Sequence, residues 1–294
     1  MKIYQLEYFI EVYKCNSVSK AADNLYVSQP TISFALKELK DEFGVNLFTR
    51  SGNGIIPTVE GKIFYAKAVN ILNSIRALKQ DMLSLGGKTT HLKVGTPPMI
   101  GTILFPEMYQ DLRNQLPKIE LEILEYGSLR VRDLVQKNEA DIAIAILDDK
   151  MDDSLESYKL FSTELVFCVD KKHHLSKKGT INWSDLDKEN IILMKEDSFQ
   201  NTMVKQRLEQ TSIIPNIVLY SSQLTTITKF IHSGMAGAFL FSSLCVDDSF
   251  VPLHLADPIM LDIGAIWRKN SQDFLNSTKF MTFLKRYVDE RFNG

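Results

Sequence analysis

The sequence predicts an α/β protein built from a small helical amino-terminal domain, one long helix and a larger α/β domain. Three observations predict this class. Residues 1–44 repeat the spacing of amphipathic helices three times, residues 59–85 carry an apolar seam, and from residue 91 onward short apolar strands alternate with helical segments. A chain of 294 residues is long enough for about two domains, so the division fits its length.

Composition indicates a soluble globular protein, with 45% hydrophobic residues, 24% charged residues and a formal net charge of -2. The three cysteines, Cys15, Cys168 and Cys245, form neither a close pair nor a metal-ligand spacing, which is typical of a reducing compartment. Glu7 and Glu11 interrupt the apolar residues at the amino terminus, so no signal peptide is predicted. No apolar run is long enough to cross a bilayer. We therefore expect a cytoplasmic protein with no membrane partner.

The amino-terminal domain is predicted to contain three helices, each with one apolar stripe. The stripes consist of Leu6, Phe9, Ile10 and Tyr13, of Val18, Ala21, Ala22 and Leu25, and of Ile32, Ala35, Leu36 and Leu39. Ser17 and Ser28 stand where N-capping hydroxyls are favoured. Pro30 lies in the first turn of the third helix and Gly44 follows its end. Two helices separated by a short turn and packed on a third helix predict a helix-turn-helix.

The outward face of the third helix carries side chains that can read DNA. These residues lie at helical spacing or at the helix amino terminus, and they are Gln29, Pro30, Thr31, Ser33, Phe34 and Lys37. Glutamine can bond adenine twice, hydroxyls can bond bases or phosphate, and an aromatic ring can contact a thymine methyl group, whereas lysine suits a phosphate. The alternative is a helical bundle with a polar outer face. The charge count favours that alternative, because residues 1–60 hold six Lys and Arg against seven Asp and Glu.

Residues 59–85 are predicted to form one long helix after the N-capping Thr58. Its apolar residues recur every three or four positions, at Phe64, Ala68, Ile71, Ile75, Leu78, Met82 and Leu85. This seam needs something to pack against, which is either the chain's own carboxyl-terminal domain or the same helix of a second copy. Gly86 and Gly87 end the helix and predict a hinge.

The carboxyl-terminal region is predicted to fold as two α/β lobes. The apolar segments HLKVGTP, KIELEILEYG and ADIAIAIL alternate with helical segments, and ELVFCV, NIILM and NIVLYS repeat the pattern. Ligands of such folds bind beyond the carboxyl ends of the strands, between the lobes. The loops at those ends contain the predicted ligand residues, namely Thr96, Pro98, Met99, Ile100, Thr102, Ser128, Ser198, Phe199, Gln200 and Gln223. Hydroxyls, amides and helix amino termini suit a small carboxylate, and the alternative for each residue is a loop cap without a ligand.

Several motifs resemble those of LysR-type transcriptional regulators. SVSKAADNLYVSQPTISFALKELKDEFGVNLFTR and IIPTVEGKIFYAKA are similar to the winged helix-turn-helix of that family, and LKVGTPPMIGTILFP, KKHHL and GMAGAFLFSS are similar to its effector-binding domain. The resemblance implies a winged helix-turn-helix at 1–58 with Arg50 in the wing, and a linker helix at 59–88. At 91–294 it implies a two-lobed α/β domain like that of periplasmic solute-binding proteins.

The resemblance also implies lobe boundaries and partners. Lobe I is expected to comprise 91–162 and 267–294, and lobe II 163–266, with crossing strands near 164–169 and 263–267. The implied partners are double-stranded operator DNA, a small-molecule effector of the carboxylate class, RNA polymerase and further copies of the chain. Those copies would form a dimer through the linker helix and a tetramer through the carboxyl-terminal domains.

No enzyme or cofactor is predicted, because the sequence lacks nucleotide-binding glycine motifs. No metal is predicted, because the cysteines have no metal-ligand spacing. The adjacent His173 and His174 favour a solvated loop, since neighbouring rings point apart on most backbones. A thiol-based redox sensor of the same family is an alternative, although Cys168 lies in a predicted strand and Cys245 is far along the chain. A cytoplasmic solute-binding protein with no role in DNA binding is a second alternative, which the helical amino-terminal domain opposes.

Overall fold

The computed structural model describes residues 1–51, 54–148, 151–245, 250–269 and 275–292. The chain divides into two compact units, Met1–Met82 and Leu83–Gly294. Each unit has its own hydrophobic core. Among the described residues, no helix combines the length and the apolar character needed to cross a membrane.

The first unit begins with three helices, as the apolar stripes predict. They are α1 (Ile3–Cys15), α2 (Val18–Asn24) and α3 (Gln29–Phe43). The Ser17 hydroxyl accepts the Lys20 amide at the start of α2, which confirms that predicted N-cap. At the start of α3, the Ser28 hydroxyl accepts the Thr31 amide in the same way. Gly44 ends α3 with φ at 69°, a left-handed conformation that glycine adopts without steric cost.

A two-stranded hairpin completes the core of the first unit. Its strands, β1 (Phe48–Ser51) and β2 (Gly54–Pro57), pair antiparallel. Phe9 of α1 is fully buried, and its ring lies 5.0 Å from the ring of Phe48 in β1. Leu39 of α3 belongs to the same cluster, so the hairpin packs on the first and third helices. A hairpin in this position is the element that the family resemblance implies as the wing.

The long helix α4 (Val59–Leu85) is continuous, but its apolar seam has two environments. The amino-terminal part packs on the helix-turn-helix, where Ala68 is buried and the Phe64 ring meets Phe9 edge-on at 4.7 Å. Gly61 permits this approach, because a Cβ there would collide with the Leu47 carbonyl. The rest of the seam is exposed within the chain and consists of Ile71, Ile75, Leu78, Met82 and Leu85. Packing within the unit therefore accounts for only the first part of the seam.

The second unit is an α/β fold, as the alternation of segments predicts. Its strands are β3 (Thr90–Thr96), β4 (Ile119–Glu125), β5 (Ile142–Ile146), β6 (Leu155–Val169), β7 (Thr180–Ile181), β8 (Asn190–Leu193), β9 (Asn216–Tyr220), β10 (Gly237–Phe241), β11 (Val251–Leu255) and β12 (Ile259–Arg268). Its helices are α5 (Pro98–Gln115), α6 (Ser128–Gln136), α7 (Phe199–Thr211), α8 (Leu224–His232) and α9 (Leu275–Phe292), with short 3-10 turns at Trp183–Leu186 and Ser242–Leu244.

The sheet of the second unit runs through two lobes. Its order is β4-β3-β5-β12-β6-β10-β8-β9, and β11 lies beside β6 with β7 beside β11. β3, β4 and β5 are parallel in one lobe, and β8, β9 and β10 are parallel in the other. β6 and β12 are antiparallel to each other and join the lobes, since β12 also pairs with β5 and β6 also pairs with β10. The predicted crossings at 164–169 and 263–267 lie within these two strands.

Candidate nucleic-acid interface and effector cleft

The helix α3 exposes the face that was predicted to read DNA. All of the predicted side chains on it are exposed, namely Gln29, Pro30, Thr31, Ser33, Phe34 and Lys37. The opposite face is buried through Ile32, Ala35 and Leu39. Phe34 is 64% exposed, so packing within the chain does not explain this large apolar ring. A polar face with one apolar ring is chemically suited to base edges and a thymine methyl group.

Hydrogen bonds organise the amino terminus of α3. The Ser28 and Thr31 hydroxyl oxygens are 2.7 Å apart. From α2, the Ser19 hydroxyl donates to Gln29 Oε1 at 3.2 Å. This bond restricts the Gln29 side chain before any ligand arrives, which reduces the entropy cost of recognition.

The turn between α2 and α3 contains Tyr26, which the sequence analysis did not select. Its side chain is 95% exposed, and its φ of 54° lies in the left-handed region that residues other than glycine rarely adopt. Exposure and backbone strain together are more typical of a functional position than of a packing one. The available signal was a large aromatic residue at a turn position, between Leu25 and Val27.

Two cations belong to different elements of the first unit. Arg50 is exposed on β1, where it lies opposite Ile55 of β2. Lys37 is exposed on α3. Cations on a helix and on a neighbouring hairpin suit phosphate contacts on either side of a groove.

The loop after β3 leads into α5 and contains half of the predicted ligand residues. Met99 and Ile100 are buried in the core of the α/β unit, so both have a packing role. Thr96 is also buried, and its hydroxyl donates to a main-chain carbonyl of β5 at 3.2 Å. Thr102 is exposed, and its hydroxyl donates to the Pro98 carbonyl at 2.9 Å. Only Pro98 and Thr102 of this segment therefore lie partly or fully at the surface.

The amino terminus of α6 meets the loop after β8, which brings the two lobes into contact. The Gly127 amide donates to Asp197 Oδ2 at 3.0 Å. The Leu129 amide donates to the Asp197 main-chain oxygen at 3.1 Å. Gly127 is required for this approach, because a Cβ there would collide with Asp197. Ser128, a predicted ligand residue between these two amides, is buried. A carboxylate of the protein itself thus occupies the helix terminus where we expected an effector carboxylate.

Arg132 of α6 is a buried cation outside the set of residues predicted from the sequence. It pairs with Asp148 at 2.8 Å and donates to the Ile146 carbonyl. Its guanidinium carbon lies 5.7 Å from the ring centre of Phe199, which begins α7 in the other lobe. The Arg132 Nε is buried and has no hydrogen-bond partner within the described part of the chain. The ion pair with Asp148 balances the charge of Arg132, and the buried Nε–H is left as an unused donor near the contact between the lobes.

The remaining predicted ligand residues lie at helix starts of the second lobe. Ser198 is buried at the N-cap position of α7, directly after Asp197. Gln200 is buried, and its amide donates to the Phe239 carbonyl at 2.7 Å, a contact within that lobe. Gln223 precedes α8 and accepts a hydrogen bond from the hydroxyl of the following turn at 3.1 Å. Ser198 and Phe199 therefore lie beside the contact between the lobes, whereas Gln200 has a structural bond.

His173 and His174, which were predicted to lie in a solvated loop, both contact the carboxylate of Glu189. The two rings lie 4.5 Å apart, and both reach Glu189, through Nε2 atoms at 3.3 and 3.1 Å from its carboxylate oxygens. Burial lowers the pKa of His173, while the charge of Glu189 opposes that shift. The Leu175 amide donates to His173 Nδ1 at 3.3 Å, so the neutral ring carries its proton on Nε2 and donates to Glu189. That tautomer is the wrong one for a metal ion on Nε2.

Cys168 and Cys245 lie together in the second lobe. Their sulfur atoms are 3.6 Å apart, although 77 residues separate them in the chain. Cys168 is buried and Cys245 is half-buried. No sequence spacing signals such a pair, since only the fold brings the two side chains into contact.

Comparisons with known proteins match both units. The family model for the bacterial regulatory helix-turn-helix protein of the lysR family matches residues 3–62. The model for the LysR substrate binding domain matches residues 85–289. The HTH-type transcriptional regulator YwbI of Bacillus subtilis is 29% identical, over 98% of this chain and 97% of its own. A hydrogen peroxide-inducible genes activator of Dickeya chrysanthemi is 25% identical, over 92% of this chain and 90% of its own.

Solved structures agree in fold. A cysteine-to-aspartate variant of full-length OxyR from Pseudomonas aeruginosa has a TM-score of 0.70 at 23% identity, with 98% of this chain and 95% of that chain covered. Full-length CbnR in complex with its target DNA has a TM-score of 0.62 at 19% identity, with 97% and 99% covered. From its two matched domains and their order, the chain belongs to the LysR family of transcriptional regulators, with a helix-turn-helix DNA-binding domain followed by an effector-binding domain.

Proposed function

We propose that this regulator binds duplex DNA sequence-specifically, with α3 in the major groove. The observation that carries the proposal is the exposed polar face of α3 opposite a buried apolar face. An α-helix fits the major groove, where each base pair presents a distinct set of donors and acceptors. The structure of the similar regulator CbnR with its target DNA supports the same role for this domain.

Each exposed residue has a task in this docking. Gln29, Thr31 and Ser33 bond base edges, and Phe34 contacts a thymine methyl group. Pro30 fixes the first turn of α3. Tyr26, which precedes that turn and is exposed, contacts the DNA backbone. The cations Lys37 and Arg50 bond phosphates, with Arg50 in the wing.

Selection from a random duplex library tests sequence-specific binding without knowledge of the target genes. The purified protein is expected to enrich one motif over successive rounds. A symmetric dimer would enrich a pseudo-palindrome whose half-sites lie about one helical turn, or a multiple of it, apart. Persistent binding with no enriched motif would mean that contacts to phosphate alone hold the DNA.

We propose that a small organic anion, a carboxylate in the first instance, binds between the lobes and controls DNA binding. Three observations support this site. The Gly127 amide already holds one carboxylate, that of Asp197. The buried Arg132 is ion-paired with Asp148, but its Nε is a donor with no hydrogen-bond partner among the described residues. Ser128 is buried at the same helix terminus. An effector carboxylate would replace the Asp197 carboxylate at the amino terminus of α6. If the effector binds one arrangement of the lobes more tightly by about 1–3 kcal/mol, that difference is sufficient to control DNA binding.

Calorimetry against a panel of small carboxylates tests the cleft. A carboxylate that binds the wild-type protein is expected to bind the Ser128→Ala, Thr102→Ala double variant about tenfold or more weakly, because the hydrogen bond from the Ser128 hydroxyl to the charged group is lost. Thr211→Ala, which removes a hydroxyl at the far end of α7, serves as the control. Equal affinity for the double variant and the control would place the ligand elsewhere.

We also propose self-association through α4, with tetramers built by the carboxyl-terminal domains. The exposed second part of the α4 seam supports the dimer, because apolar residues at this spacing pack well against the same helix of a second copy.

RNA polymerase is the proposed partner at the promoter, and the cytoplasm is the proposed location. The domain limits 1–58, 59–88 and 91–294 and the lobe limits within the last range remain part of this proposal.

A further inference from the structure

Cys168 and Cys245 place two thiols in contact outside the effector cleft. Their sulfur atoms lie 3.6 Å apart, close to van der Waals distance. We propose that the two cysteines form an oxidation site, which a peroxide converts into an intrachain disulfide. Neither cysteine belongs to the proposed effector site or to the DNA-binding face, so the oxidation can be tested without either ligand.

The surroundings of each cysteine decide which one moves. Cys168 lies in β6 between two paired strands, opposite Ala238 of β10 and Pro252 of β11, so its backbone is held on both sides. Cys245 follows the turn Ser242–Leu244 and is half-buried. A disulfide requires the sulfur atoms to approach to about 2.0 Å. Cys245 supplies that movement, because a turn shifts at lower cost than a strand inside a sheet.

The order of reaction follows from exposure. Contact with Cys245 and burial both raise the pKa of the Cys168 thiol, which makes it a poor first nucleophile. Cys245 is more exposed and meets the peroxide first. Its sulfur attacks one peroxide oxygen, the O–O bond breaks, and a sulfenic acid and one water form. The Cys168 sulfur then attacks the sulfenic sulfur and expels the second water as the S–S bond forms. The two thiols lose two electrons and two protons, which reduce the peroxide to water.

The position of the bond links it to lobe movement. In the turn Ser242–Leu244, the Ser243 hydroxyl lies 2.8 Å from the Thr163 hydroxyl of β6. The same turn packs against α5, which belongs to the other lobe. A disulfide would therefore tie the turn Ser242–Leu244, which contacts both lobes, to the crossing strand β6. Oxidation is expected to restrict the movement between lobes that the effector uses.

Thiol counting on the full-length protein tests the pair once the third cysteine, Cys15, is removed. The Cys15→Ser variant keeps only the two cysteines of interest. After hydrogen peroxide treatment it is expected to lose both thiols together and regain both with dithiothreitol. Peptide mass spectrometry without reduction is expected to find the Cys168 and Cys245 peptides joined within one chain. In the Cys15→Ser, Cys245→Ser variant, the remaining Cys168 thiol is expected to react with peroxide at least about tenfold more slowly than the thiols of the Cys15→Ser variant.

Three results would overturn the proposal. They are the absence of joined peptides, oxidation of Cys245 that ends at sulfinic acid with Cys168 still reduced, or a disulfide that joins two chains. A Cys15→Ser, Cys168→Ala variant gives the reciprocal comparison. Cys168 is buried, so its replacement can prevent folding. In that case the Cys245→Ser variant, which changes the half-buried cysteine, is the one that tests the proposal.

Discussion

In the proposed docking, base reading and phosphate binding fall to different residues of α3. Gln29 is an uncharged donor and acceptor that Ser19 already orients at 3.2 Å. Lys37 is an exposed cation on the same helix. A neutral amide discriminates between bases, whereas an ammonium group neutralises phosphate whatever the sequence. Substitutions at these two positions should therefore differ in kind and not only in size.

The two substitutions can be compared on one selected duplex and on single-base variants of it. Gln29→Ala is expected to lose about 1–3 kcal/mol of discrimination at one base pair. Lys37→Ala is expected to weaken all duplexes equally and to lower the slope of log affinity against log salt concentration by about one. Fluorescence anisotropy over a salt series measures both effects. Lys172→Ala, in the other unit, controls for the loss of one exposed lysine, and identical behaviour of all three variants would contradict the assignment.

Asp197 accepts hydrogen bonds from the other lobe through two different oxygen atoms. A substitution that removes only one of them tests the contact between the lobes. Its carboxylate accepts the Gly127 amide, and its main-chain oxygen accepts the Leu129 amide. Asp197→Ala removes only the first of these acceptors. Amide hydrogen exchange is expected to become faster at Gly127, by up to about 1.5–3 kcal/mol of lost protection, and to change little at Leu129. Glu196→Ala, which removes the neighbouring exposed carboxylate, should leave both amides unchanged, and faster exchange in that control would indicate a general opening.

The residue scale is also where sequence reasoning about the cleft was least complete. Met99 and Ile100 follow a strand and start a helix, which is a typical ligand position, yet both side chains turn into the core. Asp197 and Arg132 were not among the predicted residues, although Asp197 bonds the opposite lobe and Arg132 contacts Phe199 of the opposite lobe. Their roles depend on contacts between segments far apart in the chain, and such contacts leave no local pattern of spacing or composition.

At the scale of elements, α4 buries only the first part of its apolar seam within the chain. Phe64 and Ala68 pack on the helix-turn-helix, whereas Ile71 is 41% and Leu78 is 61% exposed. Heptad spacing correctly predicted a continuous helix, because the periodicity of an amphipathic helix is local. It did not predict where burial of the seam ends, since that depends on where the first three helices end in space.

Charges in the exposed part of the seam test its role in self-association. Ile71→Lys with Leu78→Lys is expected to lower the oligomeric state, because two lysines per helix would be buried and unpaired in a helix pair. Size-exclusion chromatography with light scattering measures the change. Asn70→Lys with Ser74→Lys adds the same charge at exposed positions beside the seam and should leave the assembly intact. An unchanged mass for the seam variant would show that these residues do not form the interface.

At the scale of the whole molecule, two units with separate cores carry separate tasks. The order of helices and strands followed from periodicity and turn residues, and the LysR motifs predicted which unit binds DNA. The resemblance placed crossings near 164–169 and 263–267, and both ranges lie within the longer strands β6 and β12. The thiol pair of Cys168 and Cys245, the pairing of His173 with Glu189 and the exposed Tyr26 required the folded chain.

The central claim is that α3 reads DNA sequence, and one binding measurement tests it most directly. The affinity of the wild-type protein and of the Gln29→Ala, Ser33→Ala double variant is measured for the selected duplex and for a scrambled duplex of the same composition, at one salt concentration. The double variant is expected to lose most of the preference for the selected duplex, about 1–3 kcal/mol for each base position affected, and to keep its affinity for the scrambled one. A double variant that prefers the selected duplex as strongly as the wild type would contradict the claim that α3 lies in the major groove.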